Sequence, residues 1–152
     1  MIPGRDCIGV GVGAMVFDAS GKVFLARRGP AASNEVGNWE FPGGKVTFGE
    51  RIEDAIRREF REEYGMEIEL RSLIGLFDHI LLAENQHWIA ATYLAHHRGG
   101  TPRIREPEKC SEIGWYELAA LPTPLSQISQ SNLDKYLRAE TRVEQGRRVD
   151  SR

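Results

Sequence analysis

The stretch Gly44-Lys45-Val46-Thr47-Phe48-Gly49-Glu50, followed after a short interval by Arg58-Glu59-Phe60-Arg61-Glu62-Glu63-Tyr64-Gly65-Met66, decides how this chain is read. Its second half has helical spacing and stops at a glycine. Glu59, Glu62 and Glu63 stand at i, i+3 and i+4, which brings their carboxylates to one side of the helix. Carboxylates so placed repel one another unless a cation neutralises them, and a hard divalent ion with oxygen ligands does that.

The phase of the helix sharpens the point. At about 100° per residue, Ile52, Ala55, Ile56 and Glu59 share one sector, and Glu63 returns to it. Arg51, Asp54, Arg57, Arg58 and Arg61 fall on the opposite half. A Glu-rich helix is commonly a solvated face laced with i,i+4 ion pairs. Here the carboxylates continue the apolar stripe, where unpaired burial is costly. A metal site is favoured. Phe41-Pro42-Gly43-Gly44 is a breaker cluster, Thr47 or Gly49 is the expected N-cap, and Gly65 suits the C′ position. Arg58, one turn before Glu62, is placed to orient that carboxylate as its partner.

Gly44, Glu50, Arg58, Glu59, Glu62, Glu63 and Gly65 fill every fixed position of the Nudix box, G-x5-E-x7-R-E-U-x-E-E-x-G-U, with Phe60 and Met66 as the bulky residues. Trp39-Glu40-Phe41-Pro42-Gly43-Gly44 is similar to the usual lead-in. The resemblance implies a Nudix hydrolase domain over residues 6–138, with a polar tail over 139–152. It implies an α/β fold, an α/β/α sandwich with a mixed β-sheet. It also implies cleavage of a nucleoside diphosphate linked to another moiety, with Mg2+ or Mn2+.

Composition is compatible. The chain has 152 residues, a single-domain length, and a formal net charge of -2. That balance argues against broad attraction to polymeric nucleic acid or an anionic membrane. No apolar run approaches a membrane span and the N-terminus shows no secretory pattern, so a soluble, cytoplasmic protein is expected. Cys7 and Cys110 lack zinc-ligand spacing and are expected to stay unpaired.

Periodicity supplies the frame. Cys7 to Phe17 alternates apolar residues with Gly9, Gly11 and Gly13, a strand whose glycines suit close approach of backbone or ligand. Asp18 to Gly21 reads as a turn, Val23 to Arg27 as the returning strand and Gly29 to Asn38 as a loop. Strands are expected over Glu67 to Leu82, His87 to Ala95 and Ile113 to Tyr116, with a loop from His96 to Lys109. Pro124 is placed at N1 of a final helix capped by Thr123, and the end beyond Arg138 is expected to fray.

The carboxylates indicate the chemistry. Ions held by Glu59, Glu62 and Glu63 would offset diphosphate charge and lower the pKa of a bound water. The carbonyl of Gly44 is an extra ligand by resemblance, and Glu50 binds a further ion or orders a water. Among the loop glutamates Glu106, Glu108 and Glu112, Glu108 is the expected additional ligand or general base. Arg27 and Arg28 resemble phosphate-binding positions, and Gly43 and Gly44 border the substrate. Phe41, Phe48, Phe77 and Trp88 are the candidates for stacking on a base.

Glu106-Pro107-Glu108-Lys109-Cys110 with Trp115 resembles the branch of nucleoside-triphosphate diphosphatases, whose members often form homodimers. That implies release of a nucleoside monophosphate and pyrophosphate by water attack on phosphorus. Leu125 stands where MutT enzymes carry a base-reading asparagine, which weakens an 8-oxo-dGTP reading. Leu82 stands where ADP-ribose pyrophosphatases carry proline, so ADP-ribose or another small diphosphate is the alternative substrate. A Nudix ligand-binding or sensor domain is the non-enzymatic alternative, disfavoured because every box glutamate is retained.

Overall fold

The computed structural model describes residues 1–150, with side chains to residue 147. Its strands are β1 (Gly9–Phe17), β2 (Val23–Arg28), β3 (Trp39–Glu40), β4 (Gly43–Lys45), β5 (Glu67–Leu81), β6 (Gln86–Gly99) and β7 (Cys110–Tyr116); its helices are α1 (Ile52–Tyr64) and α2 (Gln127–Asp150). The sheet is seven-stranded with the path β3-β2-β1-β6-β5, while β4 pairs with β1 and β7 with β2. Pairing of β1 with β6 is parallel and the other pairings are antiparallel, so the sheet is mixed as expected.

Strand alternation builds the three layers. Val12, Ala14 and Val16 of β1, with Phe24 and Ala26 of β2, face Ala55, Ile56, Phe60 and Tyr64 of α1. Met15, Phe17, Val23 and Leu25 take the other face, where Leu133 and Tyr136 of α2 pack. Phe24 meets Tyr64 edge-on at 5.1 Å. Each fully buried side chain of that size contributes roughly 1.5–3 kcal/mol. The sandwich is held from both sides.

Helix α1 has no side-chain cap at its start; Arg51 is the N-cap residue, in place of the expected Thr47 or Gly49. Glu53 and Asp54 in the first turn complement the positive end of the helix dipole. Thr47 instead closes a turn, its N–H and hydroxyl donating to Glu50 Oε1 at 3.1 and 3.0 Å. Gly65 ends the helix with φ 69°, its N–H donating to Arg61 O, while Met66 N–H donates to Phe60 O. This is the glycine stop that the sequence suggests.

Three expectations are corrected. Strand β6 runs on to Gly99, paired with Glu67, so the loop before β7 is shorter. Helix α2 starts at Gln127 because the preceding residues lie along β3: Trp39 N–H donates to Pro124 O and Ser126 N–H to Trp39 O. The chain beyond Arg138 continues as helix to Asp150 instead of fraying, and residues 151–152 of the proposed tail lie outside those described. Both cysteines are free, as expected. Among the described residues no helix is long and apolar enough to cross a membrane.

Candidate active site

A cavity of about 450 Å³ opens between the start of the box, the loop after β2 and the sheet face under α2. It has the size of a small-ligand site. Gly43, Gly44, Glu59 and Glu63 line one end of it. The backbone of Gly44 lies directly against the Glu59 carboxylate, and a Cβ there would overlap that group. Only glycine allows this approach.

Arg58 organises the box carboxylates. Its Nε donates to Glu50 Oε2 at 2.7 Å and its Nη2 to Glu50 Oε1 at 2.9 Å, a two-point grip. Nη1 donates to Glu59 Oε1 at 3.0 Å and to Glu62 Oε2 at 3.2 Å, and Nη2 to Lys45 O at 3.0 Å. Arg58 therefore joins the helix to β4 and the turn before α1. The expected contact with Glu62 is present, and the two-point hold on Glu50 is added to it. These bonds, with the Thr47 N–H, hold the Glu50 carboxyl down at about 2. Both oxygens of Glu50 thus take part in anchoring Arg58.

The glutamates differ in exposure. Glu59 has only 14% of its side chain exposed, whereas Glu62 has 61% and is turned toward Arg58. The inward phase holds for Glu59 and Glu63 and fails for Glu62. Burial first, then the nearby Glu59 and Glu40 carboxylates, pushes Glu63 up to about 8. Crowded anions of this kind fit a divalent cation, with Gly44 O, Glu59 and Glu63 as the oxygen donors. Among the described residues no three carboxylates enclose a point tightly, because Glu62 is drawn away.

Other candidates divide. Arg28 lines the cavity and pairs with Glu40 at 2.8 Å, but Arg27 is exposed and donates to Gly37 O instead. Glu106, Lys109 and Cys110 line the cavity and Glu108 does not; the Glu108 backbone carbonyl accepts the Ala31 N–H. Phe41 is buried at the cavity wall and Trp88 also lines it, with Lys45 Nζ 5.4 Å from its ring. Phe48 is fully exposed, and Phe77 packs under Lys135. Leu125 belongs to the apolar cluster around Trp39.

The residue reading missed Glu40, Lys45, His79 and Asn132, all in the cavity wall. Glu40 is visible in retrospect as a charge inside an apolar lead-in. Burial raises its carboxyl despite Arg28. Asn132 is one turn from Ile128 and adjoins Leu133, a polar residue within the inward stripe of α2. Around His79 the outward positions Leu76 and Ile80 are themselves apolar and exposed, so alternation does not mark the inward face.

The NUDIX domain family matches residues 8–136. The chain is similar to the crystal structure of the MutT NUDIX hydrolase from Burkholderia pseudomallei, 38% identical with a TM-score of 0.79, covering 86% of this chain and 98% of that one. It is 48% identical over 54 residues to the CTP pyrophosphohydrolase of Escherichia coli strain K12, covering 36% of this chain and 39% of that protein. It is 30% identical over 91 residues to the human 8-oxo-dGDP phosphatase NUDT18, covering 59% of this chain but only 27% of the human protein. The chain thus matches about a quarter of that relative's length.

Proposed function

The chain belongs to the NUDIX family, and from that premise we propose that it is a metal-dependent nucleoside-triphosphate pyrophosphohydrolase. The observation that carries this reading is the Glu59 carboxylate set against the Gly44 backbone beside half-buried Glu63, at one end of a nucleotide-sized cavity. Arg28, Lys45 and Lys109 supply cations around the same cavity, which suits a polyphosphate. The catalytic unit is residues 6–138.

Gly44 O, Glu59 and Glu63, joined by Glu62 when it leaves Arg58, would hold Mg2+ or Mn2+. The bound ion supplies charge neutralisation and an acidified water. Arg58 keeps Glu59 in place through its bonds to Glu50 and Lys45 O. Arg28 and Lys109 bind phosphate oxygens. Glu106, the loop glutamate at the cavity, accepts the proton as water attacks phosphorus.

A screen of nucleoside triphosphates, ADP-ribose and dinucleotides with product identification tests this reading. Triphosphates are expected to give the higher kcat/KM and to yield a monophosphate plus pyrophosphate. An advantage of ADP-ribose by about tenfold, equal to about 1.4 kcal/mol of transition-state preference, would reverse the substrate choice. Binding of nucleotides with no turnover under any divalent ion would favour a sensor domain.

Arg58→Lys separates orientation from substrate binding. Lysine keeps the charge but loses the planar fork that grips Glu50 at two points. The variant is expected to lose about tenfold or more in kcat and to need more Mg2+, with KM at saturating metal little changed. A steep rise in KM with kcat intact would instead make Arg58 a substrate ligand.

A further inference from the structure

Helix α1 covers only part of its side of the sheet. The ladder register puts Val12, Ala91 and Leu76 in one row across β1, β6 and β5, Val10, Ile89 and Asp78 in the next, and His87 with Ile80 beyond. Val12 and Ala91 belong to the core under α1, which fixes the side to which these rows point. Leu76 is nevertheless 63% exposed, and Val10, Ile80 and Ile8, just before β1, are exposed as well. Phe48 stands fully exposed on the turn between β4 and α1, and Leu82 is exposed just past the end of β5. The N-terminal segment turns to the other face, where Gly4 lies against the Trp88 ring.

Single exposed apolar side chains are ordinary, but this many on one face form a patch on the order of several hundred Å², the size that marks an interaction site. Its charges say what fits it. The strands run in the order β4, β1, β6, β5 across this face, so the β4–α1 turn and β5 bound it on opposite sides. Exposed Arg51 belongs to the first flank and exposed Asp78 to the second. Among the described residues the ion pairs are made by other groups. A face with opposite unpaired charges on its two flanks is complementary to itself, once turned about a twofold axis that exchanges the flanks.

We propose that this sheet face seats a second copy of the chain. The twofold axis lies within the contact and runs along the strands between β1 and β6. Arg51 of each copy then meets Asp78 of the other, and Phe48 of each packs on Leu76 and Ile80 of the other. A stable dimer takes about 800 Å² from each copy, an area of the order that this apolar face and its polar rim supply. The formal net charge of -2 leaves little repulsion between copies.

Sedimentation of the full chain over about 1–100 μM tests the assignment. The parent chain is expected to run at twice its 17.1 kDa mass. Leu76→Glu, which would bury an unpaired carboxylate in the contact, is expected to weaken association at least about a hundredfold with the circular dichroism unchanged. Leu82→Glu, at a side chain 88% exposed, is expected to weaken it about tenfold. Arg51→Asp and Asp78→Arg each set like charges against one another and should weaken it about tenfold, whereas the two together restore it to within about threefold of the parent. A parent chain that stays monomeric at the highest concentration, or a dimer that survives both glutamate variants, overturns the assignment. Species larger than a dimer would mean a head-to-tail contact and overturn the twofold arrangement, as would a double exchange that restores nothing. Should Leu76→Glu fail to fold, Leu82→Glu and the charge exchange decide.

Discussion

Glu59→Gln is expected to lower kcat at least about a hundredfold, the lower range for loss of a catalytic charge, while the melting temperature stays near that of the parent chain. The side chain is nearly enclosed, with the Gly44 backbone on one side and Arg58 at 3.0 Å on another. Glutamine fills the same volume and can still accept from Arg58, so packing is kept. Removing the charge also relieves repulsion with Glu63, which limits any loss of stability. What is lost is the anion that holds the divalent ion. Glu62→Gln is expected to act similarly although Glu62 is exposed. Its contact with Arg58 is 3.2 Å long at the surface, and such pairs are worth about 0–1 kcal/mol, so turning inward costs little. Chelation should abolish turnover, and Mg2+ or Mn2+ should restore it. Full activity in chelator with metal verified as negligible would sink the metal mechanism. Either Gln variant within about threefold of the parent chain would remove that residue from the working set.

The parts of this site that the sequence reveals are those encoded at short range. Glu59 and Glu63 share a face with Ala55 and Ile56 because helical phase is local, and Gly65 ends α1 because a left-handed residue is required there. Helical phase places a Cα but leaves a long side chain free to choose its partner. The Arg58–Glu62 contact follows from the i,i+4 spacing, whereas the grip of Arg58 on Glu50, outside the helix, is not set by helical phase. The loop before β7 shows the same limit. Glu106 and Glu108 are equivalent as residues, and the bonds from Ala31 N–H to Glu108 O and from Gly29 N–H to Lys109 O, which fix how the loop lies against the segment after β2, cannot be read from the residues alone. The start of α2 is displaced from Pro124 by long-range pairing with Trp39, a tertiary contact that overrides a sound local signal. Asn132 and His79 line one cavity because α2 packs against β5, which a linear pattern does not specify.

Two adjacent glycines should respond to the same substitution in opposite ways. At Gly43 a Cβ would overlap the carbonyl oxygen of Val12 and crowd the Gly13 Cα at 2.6 Å. Both obstacles are backbone of β1, which is held by β4 on one side and by the parallel β6 ladder on the other. Nothing there can move without disturbing the sheet, so Gly43→Ala is expected to destabilise by about 3 kcal/mol or more, the upper part of the overpacking range. At Gly44 the obstacle is the Glu59 carboxylate, the far end of a flexible side chain. Gly44→Ala should therefore cost little stability but displace Glu59 from its place, with kcat falling by at least about tenfold. Thermal melts and steady-state kinetics on the two variants check both halves. A Gly43→Ala protein that melts like the parent chain would contradict the packing of β4 on β1. A Gly44→Ala protein with parental kcat would show that turnover does not need Glu59 seated against that backbone. Equal loss of stability in both would mean that Glu59 is too tightly held to yield, and the cost would then appear in folding before it appears in catalysis.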